Sequence, residues 1–375
     1  MKIPFNKPHL TGKELDYIKE AVEVNGHISG NGLFTQKCQS FFAKRYGFKK
    51  CLLTTSCTDA LEMCAILLNI QLGDEVIMPS YNFVSVANAF VLRGAKIVFA
   101  DSYPDNPNIN PSNIEVLITN KTKAIVVVHY AGVACDMDAI QDIANRHNLF
   151  VVEDAAHAID SFYKGKPLGS IGHLATFSFH ESKNIISGEG GMLVVNDDRF
   201  IERAEIIWEK GTNRAAFFRG EVDKYSWVDI GSSFLPPEIT AAFMWAQLEN
   251  LEDIQNQRKQ HWDTYYKALK KMGDEGQFCI PTIPEYSTNN AHIFCLVLPS
   301  SKERSKLIKK LKESGIHAVF HYLALHKSPF YASKHDGRQL PNCDKFVDCL
   351  VRLPLYYKLR ENELNYIIYE IENTQ

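Results

Sequence analysis

Seven short runs of apolar and β-branched residues recur between positions 51 and 195, at 51–55, 75–79, 95–101, 124–130, 149–154, 175–179 and 192–195. Several are almost continuously apolar, as in Ala124-Ile125-Val126-Val127-Val128, which is the pattern of strands covered on both faces. Helical patterns at 58–68, 84–93 and 137–147 lie between them. Such alternation predicts an α/β unit built on a mainly parallel, seven-stranded sheet flanked by helices. Ligands of these sheets bind beyond the carboxyl ends of the strands, and Ser56, His129, Asp154 and Ser178 fall at or just after such ends. From about Pro236 the rhythm changes to a long helical stretch at 238–271, a strand at 293–298, a helix at 301–314, a strand at 318–322 and a helix after Arg360. A chain of 375 residues can hold a large domain and a smaller one. The expected division is a large α/β domain over 1–236, including the N-terminal segment, and a smaller C-terminal α+β domain over 237–375.

Chemistry gathers at two strand ends. Asp154 closes Phe150-Val151-Val152-Glu153, and Lys183 lies twenty-nine positions later in Phe177-Ser178-Phe179-His180-Glu181-Ser182-Lys183-Asn184. A lysine that can form a Schiff base and a carboxylate that can keep a pyridine nitrogen protonated are the two groups pyridoxal phosphate most needs. The alternative for Asp154 is a helix N-cap before Ala155-Ala156. Thr54-Thr55-Ser56-Cys57-Thr58 sets hydroxyls and amides at a helix start, where a phosphate binds; ordinary capping is the competing reading. Ser178 adds a further hydroxyl. Phe83, after the strand at 75–79, offers a face for the ring, or else a core contact.

Composition removes other classes. A formal net charge of −3 gives no general attraction to nucleic acid, so anion binding has to be local. Nine cysteines without CxxC or zinc-type spacing read as reduced thiols in a cytoplasmic protein, with no metal site. Met1-Lys2-Ile3-Pro4-Phe5 carries no signal-peptide run, and no segment approaches the ~20 apolar residues of a spanning helix, so membrane insertion is not expected. A nicotinamide-binding Rossmann unit would need a GxGxxG turn after an early strand, and the chain has none there.

Four segments carry a resemblance: Ser56-Cys57-Thr58-Asp59-Ala60-Leu61, Val128-His129-Tyr130-Ala131-Gly132, Glu153-Asp154-Ala155-Ala156-His157, and Phe177 through Gly191. In this order they resemble the DegT family of sugar-nucleotide aminotransferases, fold type I pyridoxal-phosphate enzymes, over essentially the whole chain. Pro79-Ser80-Tyr81, Val133-Ala134-Cys135, Glu209 through Arg214 and Asp229-Ile230-Gly231-Ser232-Ser233 are similar to the subgroup that makes dTDP-4-amino-4,6-dideoxygalactose for surface polysaccharides.

The resemblance implies roles. Lys183 is the Schiff-base lysine and proton shuttle, Asp154 the partner of the pyridine nitrogen, and Phe83 the stacking ring. Cys57, Thr58 and Ser178 contact the phosphate, and His157 the 3-oxygen of the cofactor. Many relatives supply a phosphate-binding Asn from a second subunit in a Gly-x-Asn segment; Gly231-Ser232-Ser233 stands here, so Ser233 takes that place in a homodimer with shared active sites. His321, Tyr322 and His326 match a pattern near the sugar nucleotide, with a structural role for the histidines equally open. The implied substrates are L-glutamate and a dTDP-4-keto-6-deoxyhexose. Dehydratases of the same fold carry histidine at the lysine position, and Lys183 argues against that activity. A sensory homologue would be the non-catalytic alternative, and retention of both Lys183 and Asp154 argues against it.

Overall fold

In the computed structural model, which describes residues 1–374, the apolar runs form one sheet. Its strands are β1 (Lys50–Thr54), β2 (Glu75–Pro79), β3 (Lys96–Ala100), β4 (Thr122–Val128), β5 (Phe150–Asp154), β6 (Leu174–Ser178) and β7 (Gly191–Val195). They lie in the order β1-β7-β6-β5-β4-β2-β3; β2 to β6 pair in parallel, and β7 runs antiparallel to both β1 and β6. The main helices up to the end of the long helical stretch are α1 (Leu33–Tyr46), α2 (Cys57–Leu67), α3 (Val84–Val91), α4 (Met137–His147), α5 (Glu238–Glu249) and α6 (Leu251–Asp274). Gly32 is the N-cap of α1 and brings no side chain to its amides.

Alternate residues of one strand serve different cores. Ile125 and Val127 of β4 join Ile77, Val151, Met192 and the inner faces of α1, α4 and α5, while Ala124, Val126 and Val128 join Met78, Val152, Leu193, α2 and α3. Side chains alternate across a sheet, so burial on both faces is what makes β4 read as one apolar run. Each such Val or Ile contributes about 1.5–3 kcal/mol by leaving water.

The C-terminal part adds β8 (Cys295–Val297) paired antiparallel with β9 (Leu350–Arg352), and helices α7 (Ser301–Glu313) and α8 (Glu361–Glu372). Trp262, Tyr265, Phe294, Leu311 and Ile367 form its core, which Ile3 also joins. Two expectations need correction here. The helical stretch at 238–271 is two helices, because the chain leaves helical geometry at Asn250 (φ −109°, ψ 13°), whose side-chain amide donates to the Ala246 carbonyl at 2.8 Å. Such local side-chain bonds compete with the backbone ladder. The strand at 318–322 is not formed: Val319 pairs alone with Arg352, and the following chain turns toward β2, where the Leu325 amide donates to the Ser80 carbonyl at 3.1 Å. The division into 1–236 and 237–375 is a proposal about this packing. The second part has a core of its own, while its first helix, α5, lends Ala241, Ala242, Met244 and Leu248 to the large core. Among the described residues no helix is long and apolar enough to cross a membrane.

Glu238, 1% exposed, ties α1 to α5. Its carboxylate accepts from the amides of Gly32 (2.9 Å), Phe34 (2.8 Å) and Thr35 (3.1 Å) and from the Thr35 hydroxyl, satisfying the orphan donors at the start of α1. Glu238→Ala strands those buried donors, each loss costing about 1–3 kcal/mol. The expected outcome is a lower urea midpoint, with loss of about 3 kcal/mol or more; an unchanged midpoint would refute this role.

Candidate active site

A cavity of about 520 Å³ opens at the carboxyl ends of the strands. Cys57 and Thr58 reach it from the β1–α2 turn, Phe83 and Ser85 from the β2–α3 turn, and Asp154 and His157 from the end of β5. Ser178 and Lys183 follow β6, and His321, Tyr322 and Arg352 come from the C-terminal part.

The turn before α2 is held by a close approach. A Cβ on Gly191 would collide with the Ser56 carbonyl and the Cys57 nitrogen, so only glycine lets β7 lie against that turn. Ser56 caps α2 by accepting from the Asp59 amide at 3.1 Å, which leaves the amides of Cys57 and Thr58 without an intrahelical partner. The Thr58 hydroxyl donates to Ser85 Oγ at 2.9 Å and so joins the starts of α2 and α3. Two helix N-termini with hydroxyls between them suit a phosphate.

Asp154 is 5% exposed and accepts the Ala156 amide at 2.9 Å. Burial raises its pKa, against the pull of that amide and of Lys183, so a cationic partner would be favoured beside it. Lys183 sits on a turn closed by its amide to the His180 carbonyl at 2.9 Å. The next residue anchors that turn: Asn184 donates to Gln255 Oε1 (2.8 Å) and the Asn290 carbonyl (2.9 Å) and meets His292 Nδ1 at 2.8 Å. Burial lowers the Lys183 pKa to about 8, with Cys57 and Asp154 opposing and Arg352 adding to the fall. A neutral amine, the form that attacks a carbonyl, is therefore accessible near neutrality.

The histidines of the wall are neutral donors and acceptors. The Ala131 amide donates to His157 Nδ1 at 3.3 Å, leaving the ring proton on Nε2, 3.3 Å from the Tyr322 hydroxyl. Arg352 Nη1 stands 3.0 Å from His321 Nε2, so that ring carries its proton on Nδ1, 3.0 Å from the Tyr130 hydroxyl. Burial holds both histidines far below their usual pKa, with the charges of Lys183 and Arg352 adding. Phe83 is 55% exposed at the mouth, its ring 6.2 Å from that of Tyr322.

The structure thus gathers Lys183, Asp154, Cys57, Thr58, Phe83, His157, Ser178, His321 and Tyr322 around one cavity. It does not bring in two others. His326 lies behind the wall, buried, with Nδ1 at 2.7 Å from Ser80 Oγ and Nε2 at 3.6 Å from Asp344. Ser233 is exposed and bridges backbone to backbone with Glu209, outside the cavity of its own chain. Sequence reasoning missed Arg352 and His292. Arg352 had a signal, a lone charge inside the apolar run Leu350-Val351-Arg352-Leu353-Pro354.

The chain matches the DegT/DnrJ/EryC1/StrS aminotransferase family over residues 8–372, and it belongs to that family. It is 33% identical over 369 residues to the GDP-perosamine synthase of Escherichia coli O157:H7, covering 97% of this chain and 96% of that one. It is 32% identical over 375 residues to the spore coat polysaccharide biosynthesis protein SpsC of Bacillus subtilis, covering 98% and 95%. The PLP-form of the putative sugar aminotransferase Spr1654 from Streptococcus pneumoniae superposes with a TM-score of 0.90 at 25% identity, covering 100% and 98%.

The residues present fit pyridoxal phosphate: a desolvated carboxylate for its ring nitrogen, a depressed amine for its aldehyde, helix starts for its phosphate and Phe83 for its face. Only a neutral lysine attacks an aldehyde, and a lysine loses its proton as pH rises. Covalent capture of the cofactor by apoenzyme should therefore speed up with pH and level off above about 8, as followed by stopped-flow absorbance. A flat profile across that pH would contradict the depressed amine.

Proposed function

We propose that this sugar aminotransferase moves the amino group of L-glutamate to the 4-keto carbon of dTDP-4-keto-6-deoxy-D-glucose, giving dTDP-4-amino-4,6-dideoxy-D-galactose and 2-oxoglutarate. The observation that carries the reaction type is the meeting of Lys183 and Asp154 in one cavity with two helix N-termini. The subgroup-like segments around Pro79 and Asp229 support the choice of sugar. The likeness to a GDP-perosamine synthase favours a second reading that differs in the nucleotide, a GDP-linked sugar.

Bound pyridoxal phosphate supplies an aldehyde carbon and an electron-accepting ring, which together make the α-proton of an amino acid acidic. The chain does the rest. Cys57, Thr58 and Ser178 would hold the phosphate, Asp154 the ring nitrogen, His157 the 3-oxygen and Phe83 the ring face. Lys183 Nζ takes the proton from the donor Cα and passes it on, and it acts in reverse for the sugar. His321 and Tyr322 would orient the sugar. Since both substrates use one cavity in turn, double-displacement kinetics follow.

The segment carrying Ser233 exposes Phe218, Tyr225 and Trp227, the last to 80%. Covering these on a second copy supports a homodimer in which Ser233 reaches the phosphate of the other subunit. All nine cysteines are free, in keeping with action in the cytoplasm.

Lys183→Ala should lower turnover by at least about 100-fold and alter the visible absorbance of the purified protein. Asp154→Asn should lower it about 10- to 100-fold, the worth of one charge-assisted hydrogen bond. Offering dTDP- and GDP-linked 4-keto-6-deoxyhexoses with glutamate, and reading the product by NMR, decides the sugar. An amine at C3, or turnover of the GDP-linked substrate alone, would overturn the assignment.

A further inference from the structure

One cation in the cavity wall has no counter-ion. Arg352, the last residue of β9, lines the cavity beside Ser182 and Lys183 with its guanidinium 4.7 Å above the Phe5 ring. Its Nη1 reaches the neutral His321 Nε2 at 3.0 Å, its Nε is buried without a hydrogen-bond partner, and it enters no ion pair among the described residues. Buried donors are normally satisfied, and a guanidinium presents a planar fork that matches a carboxylate.

The groups already assigned do not answer this charge. The phosphate has the starts of α2 and α3, and the ring nitrogen has Asp154, all on loops of the main sheet. The rim carboxylate, Glu189, is spent no closer than His180 Nε2, 3.6 Å away. A 4-keto-6-deoxyhexose is uncharged at the reacting end, with its diphosphate on the far side of the sugar ring. Glutamate brings two carboxylates to the same place.

We propose that Arg352 binds a carboxylate of the amino donor, in two-pronged fashion. This rests on the glutamate-dependent reading above. The face of the guanidinium is stacked on Phe5 and one nitrogen is held by His321, so the fork is oriented before the donor arrives and little side-chain entropy is lost on binding.

Because the two halves of the reaction are separable, the test is direct. Holoenzyme is mixed with L-glutamate alone, then the aminated form with sugar ketone alone, each followed by cofactor absorbance. In Arg352→Gln the KM for glutamate should rise about 10- to 100-fold while the sugar half-reaction changes several-fold at most, and Arg352→Lys should recover part of the loss. The retained sugar half and cofactor band report that the variant is folded. Calorimetric binding of glutarate, which has the carboxylates without the amine, should weaken in parallel. Equal glutarate binding by wild type and Arg352→Gln would overturn the proposal, as would a slowed sugar half-reaction with an intact glutamate half. Wild-type protein inert to glutamate would instead sink the glutamate-dependent reading, and the glutarate titration would still judge Arg352.

Discussion

A carboxylate outside the cavity fixes where the cavity can be. Glu153 is fully buried and accepts four hydrogen bonds: from the amides of Gly169 (2.8 Å), Ile171 (2.8 Å) and Gly172 (2.5 Å), and from His129 Nε2 at 2.9 Å. The Cys135 amide points at His129 Nδ1 at 3.1 Å, so the ring proton is on Nε2, aimed at Glu153. Burial penalises this charge, yet the donors from His129, Gly172 and Gly169 hold the carboxyl below its usual pKa. Breaking such a buried arrangement costs about 3–5 kcal/mol. Successive side chains of a strand point to opposite faces, so pinning Glu153 to one side aims Asp154 at the other. The end of β4, the end of β5 and the loop at 169–172 are thereby locked together, and the carboxylate that faces the cavity inherits its position from a neighbour that never meets it.

Charge is distributed in the cavity with the same economy. Lys183 and Arg352 are cations, Asp154 is the buried carboxylate, and the histidines between them are kept neutral by burial and by the donors aimed at them. Neutral imidazoles spread between two cations add hydrogen bonds without adding repulsion. Arg352 lowers the Lys183 pKa through space, so a residue that meets the donor also favours the reactive form of the lysine.

Most of the sheet was legible because its signal is local. Strands buried on both faces are apolar throughout, and each expected strand of the sheet lies within two residues of its observed bounds. That Asp154, Lys183, Cys57 and Ser178 meet around one cavity was legible too, since ligands in such a sheet bind beyond the strand ends that these residues occupy or follow. The C-terminal part was read less well. The run at 318–322 has strand composition, but its neighbour is a single residue of β9, and pairing depends on partners that a local pattern does not contain. His326 looked like its neighbour His321, and only the fold of the turn at Leu325–Lys327 onto Ser80 sends it behind the wall. Arg352 left one local signal, a charge inside an apolar run, but its meaning lies in what does not pair with it.

The N-terminal segment meets the C-terminal part at the site, beside Arg352. Ile3 donates from its amide to the Gly315 carbonyl at 2.9 Å and pairs with Ile316, binding the N-terminal segment to the small core. Gly315 (φ +78°) is needed there, because a Cβ would collide with the Met1 carbonyl oxygen. Two residues on from Ile3, Phe5 supports the Arg352 guanidinium, and Asn6 Nδ2 donates to the Glu181 carbonyl at 3.1 Å, on the turn that presents Lys183. Residues 3 to 6 therefore bridge the two cation-bearing segments of the cavity. Like charges in a partly desolvated space repel, and a wall that could relax would let Arg352 swing away from Lys183. The bridge holds Arg352 and the Lys183 turn in fixed relation, so the charge of Arg352 continues to favour the neutral lysine.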